Sequence, residues 1–141
     1  MNRKVWIGFI AVYIVMNVTD MIIHMGLLSS VYASEPVMKI MRPAADGKTW
    51  IYFLTSAFTS FFFSLIFSKG YEGKGIAEGL RYGLYVGLMM VTPMAYASYA
   101  MYPVPYSLAM QGFLYGMVQY LILGVVVALI SGSKPKVAAA T

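Results

Sequence analysis

Four apolar stretches occupy nearly all of this 141-residue chain: Val5–Leu28, Trp50–Phe67, Ile76–Met101 and Ser107–Ile130. Each reaches the ~18–20 residues that a helix needs to cross a hydrocarbon layer about 30 Å thick. A lipid solvent satisfies no backbone hydrogen bonds, so each stretch must be helical along its whole length. The expected fold is therefore all-α: a polytopic membrane protein, an antiparallel four-transmembrane-helix bundle, forming one domain over residues 1–141.

Composition agrees with this. Hydrophobic residues make up 60% of the chain and charged residues 11%, with a mean hydropathy of +0.73. A soluble domain carries about 25% charged residues. Cysteine is absent, which excludes disulfides, thiolate metal sites and cysteine nucleophiles. Arg3 and Lys4 resemble the start of a signal peptide. The apolar run behind them is too long for one and contains Asp20 and His24, so the first span is expected to be retained.

Loop charge sets an expected orientation. With four spans, one side holds Arg3, Lys4, Lys69, Lys74, Arg81, Lys134 and Lys136, and the other holds Lys39, Arg42 and Lys48. Lys and Arg in short loops mark the cytoplasm, which gives N-in/C-in. The net charge of +5 then belongs to loops and not to nucleic-acid binding. Trp6, Trp50, Tyr52, Tyr71, Tyr102 and Tyr106 fall near the expected interfaces, where amphipathic rings settle. Residues 29–49 form the one long connection. Within it, Ser34 and Pro36 predict a short interfacial helix at about 35–42, with Val37, Met38, Ile40 and Met41 on lipid. The small, polar tail Ser131–Thr141 is expected to be mobile.

Helices in lipid associate through close packing and polar contacts. Gly79, Gly83 and Gly87 in the third span, and Gly112 and Gly116 in the fourth, recur at spacing four. They predict a packing seam between these two spans, or else a dimer face. Glu78 and Arg81 are placed to pair near the headgroups. Pro93 removes a backbone donor and predicts a kink, with Thr92 close enough to satisfy part of the lost bonding.

The most informative residues are polar ones inside the spans. Tyr13, Asn17, Asp20 and His24 fall on one face of the first helix. Gln111, Tyr115 and Gln119 form a second ladder on the fourth. In an antiparallel arrangement the two ladders match in depth at ~6, ~12 and ~18 Å below the outer edge, taking ~1.5 Å per residue. Thr92 and Tyr96 in the third span fall in the same half, as do Thr55 and Thr59 in the second. A polar cluster around Asp20 is expected there, facing the interior because ionisable groups are costly in lipid.

Three roles fit that cluster. It can be a structural network built on an Asp20–His24 charge-assisted pair. It can be a site for a small hydrophobic ligand or for protons. It can be a metal or haem centre, which a single histidine and no cysteine disfavour. No cofactor is identified. Gly-x-Ser-x-Gly, phosphate-loop and dinucleotide motifs are all missing, which weighs against an enzyme.

The segments NVTDMIIH, LLSSVY, SKGYEGKGIAEGLRYGL and YPVPYSLA together resemble a group of small four-helix bacterial integral membrane proteins of unknown function. That resemblance implies four spans and a bacterial inner (cytoplasmic) membrane, and no activity. The expected partners are the lipid bilayer and other membrane-protein subunits or further copies of the chain. The favoured function is a non-catalytic accessory or structural subunit of a larger membrane complex. The alternative is a stand-alone protein that binds or transports a small hydrophobic ligand, linked to protons, through a polar site in the outer half of the bundle.

Overall fold

The computed structural model describes residues 3–132. The tail beyond Gly132, with Lys134 and Lys136, lies outside the described residues. Every regular element described is helical. In chain order they are α1 (Arg3–Met21), a π-helical turn (Ile22–Leu27), the single turns α2 (Ser29–Tyr32) and α3 (Glu35–Met38), a 3-10 turn (Ala44–Asp46), and the long helices α4 (Thr49–Gly70), α5 (Ile76–Met101) and α6 (Tyr106–Ser131). Four helical segments are long and apolar enough to cross a membrane: Arg3–Leu27, Thr49–Gly70, Ile76–Met101 and Tyr106–Ser131. Large apolar side chains cover their outer faces, among them Ile14, Phe58, Met89 and Leu129.

The helices start and stop for local reasons. Gly73 and Gly75, with φ of 91° and 71°, hold the turn between α4 and α5 in a left-handed conformation that side chains resist. The Glu78 carboxylate folds back from the first turn of α5 and accepts the amides of Glu72, Gly73 and Lys74 at 2.6, 3.1 and 2.9 Å. Glu78 is therefore buried, and its carboxylate is committed to the turn and not to Arg81. A carboxylate at a helix N-terminus also suits the positive end of the helix dipole. Helix α6 follows Pro105, whose missing amide costs nothing at a helix start.

Helix α6 is central. It packs most extensively on α5, also on α1, and meets α4 at few points, while α1 lies against α4. The α5–α6 seam is built on Gly79, Gly83 and Gly124. A Cβ on Gly79 would run into the Gly124 carbonyl and stand 2.6 Å from the Ala128 Cβ. A Cβ on Gly83 would strike the Tyr120 backbone, and one on Gly87 would come within 3.2 Å of the Met117 sulfur. Gly116 lies under Val91, whereas Gly112 has open space beside it and contributes no close packing. The α1–α4 seam uses small residues of another kind. Ser56, Ser60 and Ser64, at spacing four on α4, are buried and meet Asn17, Met16 and Gly8 of α1 in turn.

Helices α4 and α5 are barely in backbone contact. Aromatic rings bridge them at the end nearest their connecting turn. Tyr82 packs on Phe63 and Phe67 with ring centroids 4.7 and 5.1 Å apart, and its hydroxyl donates to the Phe63 carbonyl at 2.8 Å. The same end is tied by Lys4 Nζ on the Ser131 carbonyl (2.6 Å) and by the Tyr71 hydroxyl on the Gly132 carbonyl (2.6 Å). Towards the other end no ring contact or hydrogen bond among the described residues bridges the two helices, and a cavity opens.

The connection from α1 to α4 differs from expectation. Its helix is one turn, Glu35–Met38, and Ser34 turns its hydroxyl back to the Val31 carbonyl (2.6 Å) instead of capping that turn. Val37, expected on lipid, is 2% exposed, and Ile40 and Met41 face the cavity. The segment folds over the helices as a roof, and burial of Val37 and Leu28 favours that position. Met38, Ile40 and Met41 are all exposed, as expected, and of these three Met38 lies outside the cavity lining.

Candidate functional site

The cavity measures about 560 Å³. Its floor is Met16, Gln119 and Tyr120, and its roof is Leu28, Val37, Ile40 and Met41. Tyr52, Thr55 and Thr59 of α4 line one wall, and Met90, Met94 and Ser98 of α5 line the facing wall. Gly112, without a side chain, widens the α6 side. The α1 and α6 walls are mostly buried, whereas Tyr52, Thr55, Met90, Met94 and Ser98 are exposed. The mouth therefore lies between α4 and α5, where lipid would meet the protein.

One polar node sits on this floor. Gln119 Nε2 approaches Asp20 Oδ1 at 2.7 Å, Thr19 Oγ1 at 2.8 Å and the Met16 carbonyl at 3.2 Å. Gln119 is 6% exposed, so these contacts are what compensates burial of its amide. Tyr52 of α4 lines the cavity together with Asp20. Asp20 thus ties α1 to α6 through a neutral donor, the Gln119 amide, while lining the cavity.

The backbone of α1 is unusual here. Thr19 Oγ1 donates back to the carbonyls of Val15 and Met16, at 2.8 and 3.0 Å. Such back-bonding bends helices. Two residues after Asp20 the helix widens to π geometry over Ile22–Leu27, with the Leu28 amide on the Ile23 carbonyl at 2.8 Å. π turns are rare and concentrate at functional sites.

The widened turn breaks the spacing rule that placed His24 above Asp20. The expected Asp20–His24 pair does not form. His24 Nδ1 instead lies 2.6 Å from the Tyr32 hydroxyl, the two rings stacking at 5.8 Å with an interplanar angle of 26°. Tyr32 sits beyond the span, and burial raises its hydroxyl above the ordinary tyrosine value of 10.0. This contact fastens the connection to the end of α1, with both residues on the cavity wall.

The other members of the two ladders are dispersed. Asn17 leaves the cavity for the α1–α4 seam, where its amide donates to the Tyr13 carbonyl (2.8 Å) and the Ser56 hydroxyl (3.3 Å). Tyr13 is half-buried, its ring 6.2 Å from Phe9. Gln111 and Tyr115 are half-buried and outside the cavity lining. A spacing of four drifts ~40° per step around a helix, which carries them off the face that presents Gln119. Thr92 is exposed, a residue round from the Gly79–Gly83–Gly87–Val91 face of α5. Tyr96 packs on Phe113 between α5 and α6, with ring centroids 5.8 Å apart.

Tyr52, Tyr32 and Thr19 are the residues of this site that spacing on α1 and α6 did not single out. A tyrosine at the start of a span reads as an interface anchor, and only the tertiary fold turns Tyr52 inward. No group of three His, Asp or Glu side chains placed to hold a metal occurs among the described residues. No protein-family model, no curated protein and no solved structure matches the chain.

Proposed function

We propose that this chain is an integral membrane protein that holds a small amphiphilic molecule in the cavity between α4 and α5, with Asp20 meeting the polar end of the ligand. One observation carries it: the floor of an apolar cavity of about 560 Å³ exposes a carboxylate. Ligand cavities of 300–1,000 Å³ with a few convergent polar groups are the ordinary form of a small-molecule site. An ionisable residue within a span is costly unless it has a use. The structural role of the node also needs no cavity, since Gln119 and Asp20 could pair with the space above them filled.

In this reading the four helices run antiparallel with both termini on the cytoplasmic side. The excess of Lys and Arg in the loops of that side supports the orientation. Contact between Lys4 at the start of α1 and Ser131 at the end of α6 supports the antiparallel order. The resemblance to bacterial membrane proteins favours a cytoplasmic membrane. The mouth then opens to the hydrocarbon, and the ligand arrives from the bilayer.

Native mass spectrometry of protein extracted gently from its own membrane tests this. The expected result is a reproducible small adduct on the 15.6 kDa chain that disappears in Gly112→Leu, where a side chain would project into open space. Other polypeptides bound in fixed ratio, with no small adduct, would restore the accessory-subunit function and overturn this one.

A further inference from the structure

Resting on the ligand-binding reading above, we propose that the ligand is a lipophilic organic cation whose charge lies against Asp20 and whose apolar body lies along the methionine-lined walls.

Charge decides the class. Among the described residues Asp20 is the one carboxylate lining the cavity, and neither lysine nor arginine lines it. The carboxylate accepts the neutral Gln119 amide at 2.7 Å. A neutral donor leaves lone pairs on Asp20 and its charge unbalanced, and a carboxylate has room for about four such bonds. The remaining ionisable candidate, His24, is drawn away to Tyr32 at 2.6 Å. A positive ligand supplies the missing partner, and an anionic one would face repulsion that no lysine or arginine of the lining relieves.

The walls fit the same class. Tyr32, Tyr52, Tyr102 and Tyr120 line the cavity, and ring faces attract ammonium-like charges most strongly away from water. Met16, Met41, Met90 and Met94 supply flexible, polarisable surface that adapts to bodies of different shape. Met94 is 71% exposed and stands at the mouth. A cation in the bilayer would therefore pass between Met94 and Thr55 and meet Tyr52 before Asp20.

Equilibrium binding to the protein in nanodiscs, against empty nanodiscs, tests this with three probes of nearly one shape: tetraphenylphosphonium (cationic), tetraphenylsilane (neutral) and tetraphenylborate (anionic). The expected order is cation, then neutral, then anion. Asp20→Asn should weaken the cation about tenfold or more, the usual scale for a desolvated charge pair, and leave the neutral probe within about twofold. Asp20→Glu should restore much of the preference. If Asp20→Asn does not assemble, Tyr52→Phe, which removes a hydroxyl and no charge, should keep the order of the three probes. Neutral and cationic probes binding equally, with both lost in Gly112→Leu, would overturn the cation inference and leave the cavity reading intact. Preference for the anion would do the same. If none of the three binds, both are overturned.

Discussion

Gln119 donates its side-chain amide to the Asp20 carboxylate at 2.7 Å, joining α6 to α1 across ninety-nine residues of sequence in the middle of two apolar spans. The same nitrogen reaches Thr19 and the Met16 carbonyl, so one side chain organises the turn from which the π-helical segment departs. Position and energetics meet in this residue. It holds the floor of the cavity and aims the carboxylate upward.

Gln119→Leu keeps the size and removes the amide. Interhelical polar contacts in membranes contribute about 0.6–2 kcal/mol. A loss in that range is expected on unfolding in mixed micelles, together with faster exchange of the amides in Ile22–Leu27.

Gly79→Ala places a methyl group against the Gly124 carbonyl and 2.6 Å from the Ala128 Cβ, all on rigid helix. Overpacking of that kind costs about 1–3 kcal/mol. Gly112→Ala, with nothing within 4 Å of the new carbon, should change stability by less than about 0.5 kcal/mol. Thermal unfolding of the two variants side by side separates a packing glycine from a cavity glycine.

Glu78→Ala strips three backbone amides of their acceptor. The turn is part-exposed, so water can replace the carboxylate and the net cost is about 0.5–1.5 kcal/mol. The loss should appear as rapid hydrogen exchange at Glu72, Gly73 and Lys74. Arg81→Ala should leave that exchange unchanged.

Ser64 is 1% exposed, and its hydroxyl has no hydrogen-bond partner among the described residues. A buried hydroxyl without a partner is a net cost, so Ser64→Ala should leave stability unchanged or raise it by up to about 1 kcal/mol. A melting temperature below that of the parent chain would show that the hydroxyl has a partner.

The roof should respond to alkali. Burial raises Tyr32 above its unfolded value of 10.0. Below that pH both folded and unfolded chains keep the proton, and stability is flat. Above it the unfolded chain loses the proton first, so the folded form is disfavoured as pH rises towards the folded value. Proteolysis of the 29–49 connection should therefore increase above about pH 10, and Tyr32→Phe should remove that step.

Hydropathy made the four spans legible because lipid imposes helicity on any long apolar stretch. Asp20 and Gln119 stood out for a related reason: polar atoms within a span must find each other. His24 was misplaced because its position was counted along an α-helix, and the chain widens to a π turn after Met21. Gly112 and Gly124 are equivalent as sequence, and only the helix register puts Gly124 in the seam and leaves Gly112 open. The serine stripe of α4 had the spacing of a packing face but not glycine's usual signature. Glu78 looked like half of an ion pair, since nothing local shows that the preceding turn folds back on it. The cavity itself was least legible. It exists because α4 and α5 are bridged by Phe63, Phe67 and Tyr82 at one end only, and a gap leaves no residue pattern.

Photolabelling tests the central claim most directly. A diazirine-bearing aliphatic amine, added to membranes containing the protein, should label Met90, Met94, Thr55 or Ser98 in a saturable manner, competed by tetraphenylphosphonium and reduced in Gly112→Leu. Labelling confined to outward-facing residues such as Ile14, Phe58 and Leu129, rising without saturation and indifferent to competitor, would contradict the existence of a binding site between α4 and α5.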